Sequence, residues 1–515
     1  MLLSALVETS TVVTATRSRK AKVAAIAECL ARAGIDELPV VTAYVGGAIR
    51  QRRTGVGWRG LSTLPEPAAE ASVSVLEVDE SLGRLAGLAG AGSQELRASG
   101  VSDLFARLTA EEQRWLRGVM TGNIRQGALD ALVQEAIASA SGAKLAAVRR
   151  AAMLAGGTVP IVVAAMTGGE DALAEVGLEL GRPILPMLAS TATDVGAAIA
   201  KAGGGPGTPV AVDTKLDGIR IQVHKHGDHV VIATRSLDDI TDRLPEVVDL
   251  VRALPAHDLV LDGEAIALDA HGRPRPFQET ASRTAMGAGV AVTPYFFDVL
   301  HVDGRDLLDV DGHQRLAVLD DRVPDAHRVA RLVTDDPVAA EAFARDALAQ
   351  GHEGVIVKDL SIGYAAGRRG SGWVKVKPVH TLDLVVLAVE WGSGRRQGWL
   401  SNIHLGARDP AANDGAGGFV MLGKTFKGMT DEMLAWQTER FTELAVDPET
   451  ARDHYVVKVR PEQVVEIAFD GLQRSTRYPG GLALRFARVV RYRDDKSPAE
   501  ADTIETLRGL MPDQA

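Results

Sequence analysis

The chain has 515 residues, of which 46% are hydrophobic and 24% charged, and it carries a formal net charge of -10. This is more than one ordinary core can organise and predicts about three domains; the acidic balance excludes a protein that is basic all over, though not one with a single basic face. A lone cysteine, Cys29, excludes both a disulfide framework and a four-thiolate zinc module within one subunit.

Met1-Leu2-Leu3 lacks the basic flank of a secretory signal and meets Glu8 early. No uninterrupted apolar run reaches membrane-spanning length, so a cytoplasmic protein without a membrane partner is expected, nucleoid-associated if the source is a bacterium. From residue 1 to about 182 the pattern is helical and rich in Ala and Leu. Thr109 with Glu112 predicts a capping box ahead of Trp115, Leu116 and Val119. Asn123-Ile124-Arg125-Gln126-Gly127 then turns the chain, either as plain helix punctuation or as a phosphate cradle of backbone N–H groups and one cation. A second helix carries Leu129, Leu132, Val133, Ala136 and Ile137 on one side.

After the loop Gly203-Gly204-Gly205-Pro206-Gly207 the texture changes to short alternating strands. These run from Val210 to Val223 with a break near Lys215, then through a hairpin at Gly227-Asp228 to Thr234. Further strands are predicted at Leu259 to Ile266, Tyr295 to Leu300 and Gly354 to Val357, with a helix from Val338 to Ala349. This is a mixed α+β domain over residues 183–380. Beyond Pro378 a second β series begins at Leu384, is interrupted by a loop over 411–418 and a helix from about Asp431 to Leu444, and resumes at Tyr455 and Val464, the pattern of a small oligonucleotide-binding (OB) barrel over 381–515.

Lys215 stands where two predicted strands part, in Val212-Asp213-Thr214-Lys215-Leu216-Asp217-Gly218-Ile219-Arg220. An amine there is a nucleophile once neighbouring cations or a metal favour its neutral form, since an unperturbed lysine titrates near about 10.4. Taken alone, K-x-D-G is most often a surface turn. Six further islands change that: Thr234-Arg235-Ser236, Leu261-Asp262-Gly263-Glu264, Tyr295 to Asp298, Glu353 to Lys358, Trp373 to Lys377, and Arg485 to Lys496. Glu264 and Glu353 each sit beside a buried strand with glycine adjacent, suited to holding magnesium. Lys375 and Lys377, two apart on a strand, face one way.

In that order the islands resemble the collinear motifs of the covalent nucleotidyltransferases, most closely the ATP-dependent DNA ligases of the larger three-domain type, over at least Arg182 to Lys496. The resemblance implies an all-α N-terminal DNA-binding domain (1–182), an α+β adenylyltransferase domain of ATP-grasp-like nucleotidyltransferase type (183–380) and an OB-fold domain (381–515). It implies Lys215 as the residue adenylated by ATP, with Asp213 at the adenine amino group and Arg220 and Arg235 on the nucleotide and later the 5′-phosphate. Glu264 takes ribose or metal, Phe297 the base, and Glu353 the metal, which is Mg2+ with Mn2+ as an alternative. Arg369, Lys375 and Lys377 take the phosphates, and Arg493, Asp495 and Lys496 the leaving pyrophosphate. The implied partner is nicked double-stranded DNA in replication, repair or recombination, engaged by a monomer whose β domain swings on a hinge at 378–383, with Asp383 as pivot.

Two departures from the family pattern are visible. Asp213 stands where a glutamate is usual, and Leu237 replaces an asparagine often found after Arg-Ser. An NAD-dependent ligase is excluded by the cysteine count, and a capping guanylyltransferase needs no long helical domain ahead of the lysine. A non-catalytic nick-binding protein has no reason to keep Lys215, Glu264, Glu353, Lys375 and Lys377 together.

Overall fold

The Thr109 hydroxyl accepts from the Glu112 N–H while the Glu112 carboxylate accepts from the Thr109 N–H, closing the capping box expected at the start of the helix Ala110–Met120. That helix buries Trp115, Leu116 and Val119, and the next, Asp130–Ser141, buries Leu132, Val133, Ala136 and Ile137. The computed structural model describes residues 1–51, 53–124, 130–287, 289–365, 369–393, 396–412, 417–449 and 454–511. The turn residues Arg125, Gln126 and Gly127, and Leu129, lie outside these. Among the described residues before Leu188 the named elements are all helical, and one apolar cluster runs through them from Leu3 to Leu173. No single described helix is long and apolar enough to cross a membrane.

Two five-stranded sheets follow. One contains β1 (Leu188–Thr191), β2 (Val210–Lys215), β8 (Arg331–Thr334), β9 (Gly354–Lys358) and β10 (Arg369–Val376), in the order β1-β10-β9-β2-β8. The other contains β3 (Ile219–His226), β4 (His229–Thr234), β5 (Asp258–Ala267), β6 (Val292–Val302) and β7 (Arg305–Asp306), in the order β4-β3-β5-β6-β7. The strand break at Lys215 is therefore a crossing: β2 ends in the first sheet and β3 opens in the second. Gly218 makes this possible, because a side chain there would fall on the Ala265 carbonyl and Ile266. Met153 and Leu154 of the helical part pack with Val260, Leu300, Tyr364 and Trp373 behind the crossing, and Arg150 forks onto Asp309 at 2.8 and 2.6 Å.

The last third is a six-stranded sheet around one core that includes Leu382, Leu384, Ile403, Phe441 and Ile467. Its strands are β11 (His380–Trp391), β12 (Leu400–Asp409), β13 (Gly418–Thr425), β14 (Val456–Lys458), β15 (Val464–Phe469) and β18 (Arg488–Tyr492); β16 (Gly471–Arg474) and β17 (Leu482–Arg485) form a separate hairpin. The expected hinge over 378–383 is shorter than the sequence suggested. Alternating Leu382, Leu384 and Val386 draw β11 into the core from His380 onward, so Asp383 lies within a strand opposite Glu466 and only 377–379 separate β10 from β11.

Candidate active site

The crossing opens into a cleft of about 1770 Å³. Lys215, Arg220, Arg235, Glu264, Phe297, Lys358, Trp373 and Lys375 line it, and Gln51, Arg53, Gly83 and Ala86 from the helical part stand at its edge. Lys215 pairs in register with Gly354, and its carbonyl accepts from the Glu353 N–H at 3.0 Å, so backbone bonding alone sets the glutamate beside the lysine. Gly354 has φ of 144°, and a side chain there would strike the Val376 carbonyl. The adjacent glycine is thus a requirement of the site's backbone.

The Lys215 ammonium contacts the Glu353 carboxylate, whose other oxygen takes Lys377 at 3.0 Å. Burial works to raise Glu353, but Lys215 and Lys377 override it and hold the carboxyl below its ordinary range. Glu264, opposite Arg220 in register, is the counterpart: burial pushes it up to about 7 against the pull of Lys215 and Arg220. It accepts one hydrogen bond, from the Gly218 N–H at 3.2 Å. A half-buried carboxylate so little compensated suits a divalent cation.

Several side chains have partners that the sequence did not suggest. Arg220 is turned to the back wall and forks onto Asp262 at 2.9 and 2.6 Å; it also donates to the Met187 carbonyl at 2.6 Å and the Tyr364 hydroxyl at 3.3 Å. Four of the five donors of a guanidinium are spent there, so it holds the wall and has little left for a phosphate. Asp213, at 2% exposure, is gripped by Arg331 and by Lys358 at 2.7 Å; burial works to raise its pKa, and these two cations lower it. It lines the floor of the cleft with most of its acceptor sites occupied.

Lys375 and Lys377 part company: Lys375 lines the cleft, while Lys377 bridges Glu353 to Asp470 of the last domain. The charged group touching Lys215 is accordingly a carboxylate where cations were expected. Arg493, Asp495 and Lys496 lie away from the cleft. Arg493 forks onto Asp495 at 2.8 and 2.6 Å, and both Arg493 and Lys496 reach Asp383, at 3.2 and 2.6 Å.

Phe297 and Arg235 both line the cleft. Phe297 meets Trp373 edge to face at 5.8 Å, and Lys358 stands 4.7 and 4.3 Å from the two ring centres. Arg235 is exposed at the cleft's mouth. Arg369 opens β10, but its side chain lies outside the described part. Sequence reading missed Arg331 and Tyr364, which carry no local signal, and Asp470. It also missed the ion pair of Arg485 with Asp217 at 2.5 Å, although both residues lie inside quoted islands.

Family models match all three regions: "DNA ligase N terminus" over residues 61–138, "ATP dependent DNA ligase domain" over 186–377 and "ATP dependent DNA ligase C terminal region" over 396–496. A "Probable DNA ligase" of Nocardioides sp. is 69% identical, covering 99% of both chains. The chain belongs to the ATP-dependent DNA ligase family. A second "Probable DNA ligase", from Kineococcus radiotolerans, is 66% identical over 99% of this ligase and 100% of the relative. The solved structure Pmar-Lig_Pre, 19% identical, covers 95% of this ligase and 99% of that chain with a TM-score of 0.62, a likeness of fold.

Proposed function

We propose that this ligase seals nicks in duplex DNA through a lysyl-AMP intermediate on Lys215, with domains meeting near residues 182 and 380. The observation that carries the reading is the crossing itself, which delivers one amine into the cleft between two glutamates, a cluster of cations and two aromatic rings. Phe297 and Trp373 offer the apolar wall for adenine, and Lys375 faces its phosphates. In the first step the Lys215 nitrogen bonds to the α-phosphorus of ATP as the bond to pyrophosphate breaks. In the second, an oxygen of the DNA 5′-phosphate takes the adenylate and the P–N bond breaks, with Arg235 placed to hold the incoming phosphate. In the third, the 3′-hydroxyl oxygen attacks that 5′-phosphorus and AMP leaves.

Glu264 and Glu353 are the residues that would hold Mg2+, which when bound screens charge on the phosphates. Glu353 holds the Lys215 amine while the cleft is free, and engaging this carboxylate elsewhere releases the amine to attack. Arg493, Asp495 and Lys496 reach the pyrophosphate when the last domain turns toward the cleft and the two cations exchange Asp383, within their own domain, for the phosphates. The helical part and the barrel then embrace the duplex through its backbone. Incubating the ligase and Lys215→Ala with α-labelled ATP, GTP or NAD tests the reading. Label is expected from ATP alone and on the unaltered chain alone; label from another nucleotide, or on the variant, overturns it.

A further inference from the structure

Three adjacent strands of the second sheet end in a corner remote from the cleft. Arg220 and Glu264 are opposite each other at the cleft end of β3 and β5, and His226 and Asp258 at the other end, six positions along. At about 3.3 Å per residue the two ends are roughly 20 Å apart. Across the two-residue turn Gly227-Asp228, His226 is also opposite His229 of β4, so His229, His226 and Asp258 stand in a row on one face. His257 comes in from the residue before β5, and the rings of His226 and His257 meet at right angles, 5.1 Å between centres.

Both imidazoles turn Nδ1 onto the same oxygen of Asp258, at 2.7 and 2.8 Å, and the potential ligand atoms of His226, His257 and Asp258 all lie within 4.8 Å of one another. The geometry points to a transition-metal site at this corner, with His226, His257 and Asp258 as ligands of Zn2+ and His229 or water in the fourth position. Two imidazole nitrogens and one carboxylate suit zinc, cobalt or nickel, whereas Mg2+ takes oxygen ligands and belongs to the glutamates of the cleft. Metal–ligand bonds of about 2.0–2.2 Å in a tetrahedral arrangement would place nitrogen and oxygen about 3.4 Å apart, so each ring needs to retreat by roughly 0.6 Å from its present distance.

The corner is fixed by backbone bonds on both sides. The Gly227 N–H donates to the His257 carbonyl at 2.8 Å, and Gly227 takes φ of 56°, which the tight turn requires. On the other side the N–H groups of His257 and Asp258 both donate to Asp303, at 2.8 and 3.1 Å, while the Asp303 N–H donates to the Asp258 carbonyl at 2.9 Å. Little ordering is left for a metal to impose. Bound there, Zn2+ clips the β3–β4 turn to the start of β5 and stiffens the sheet whose other end carries Glu264.

The full-length ligase in millimolar Mg2+ is titrated with Zn2+ against a chromogenic chelator, and with Co2+ to read visible absorption bands. One equivalent of Zn2+ is expected, bound at least tenfold more weakly by the double variant His226→Ala/His257→Ala and by His257→Gln, and unchanged in Glu353→Gln. The Co2+ bands should vanish with the histidines, and Zn2+ should raise the melting temperature of the unaltered chain but not of the double variant. ATP labelling of the histidine variants reports that they fold. No Zn2+ binding by the unaltered chain, equal binding by the histidine variants, or loss of binding in Glu353→Gln overturns the site.

Discussion

At the end of β2 the carboxylates are unevenly matched, Glu264 in the cleft by little and Glu353 beside Lys215 by two lysines, whereas beyond β18 a comparable set is closed on itself. Glu264 has one backbone donor and is pushed up to about 7, and Glu353 is shared between two lysines. Asp383, by contrast, is gripped by Arg493 and Lys496, and Arg493 forks onto Asp495 as well. A cluster with charge left over is ready to take a ligand; one that is internally neutral is held in reserve. On the function proposed above, this arrangement of domains belongs to the stage when the barrel has turned Arg493 and Lys496 away from the nucleotide.

The largest expected effect breaks this contrast chemically. Arg493→Ala and Lys496→Ala should each lower labelling by ATP by about 10²-fold, the scale of removing one group that stabilises a departing anion. Sealing of a nick that already carries AMP should change by less than about 3-fold. Asp383→Ala should do the reverse, sparing the labelling and slowing the sealing of the adenylated nick by about 10-fold, because Arg493 and Lys496, freed from their partner within the same domain, then favour the conformation closed on the nucleotide. Equal losses in both assays for all three variants would show the two clusters to act in one conformation.

A second test uses Glu264 and pH. Its native pKa of about 7 exceeds its ordinary 4.5, so between these values the folded ligase binds more protons than the unfolded chain, and stability falls as pH rises. Glu264→Gln should therefore be more stable than the unaltered chain at pH 8, by about 1–3 kcal/mol, with the advantage gone below about pH 4.5. Denaturant unfolding at the two pH values reads this directly. The acid limb of ATP labelling should also lie near pH 7 and move lower as Mg2+ is raised, since a bound cation favours the ionised carboxylate.

Much of the cleft was legible because its chemistry is written in local patterns. Lys215 at a strand break and the glycines beside the two glutamates follow from short-range rules, and each island sits on a strand or its end, whereas the KxK spacing did not show that Lys377 leaves the strand for Asp470. What escaped was the choice of partner across long stretches of chain. Nothing near Arg220 in sequence reveals that Asp262 and Tyr364 converge on its guanidinium from 42 and 144 residues away. Asp213 is likewise taken by Arg331, 118 residues on. The hinge was misjudged for a different reason: Pro378 signals a break in pairing, but the alternating apolar residues after it fix where β11 begins.

The smallest expected effect concerns the cleft wall beside Arg235. Leu237 has φ of 63°, the left-handed region that asparagine tolerates and a branched apolar side chain does not favour. Its end lies against Gly156 of the helical part, where a Cβ would come within 3.1 Å of it, so packing between two parts of the molecule holds the leucine in place. Two substitutions separate these contributions. Leu237→Ala discards the contact and keeps the strained backbone; Leu237→Asn discards the same contact and relieves much of the strain. The asparagine variant should therefore be the more stable of the two by about 0.5–1 kcal/mol, with sealing rates within about 2-fold of each other. An alanine variant as stable as the asparagine one would mean that the turn carries no strain and that the contact with Gly156 alone sets the residue at this position.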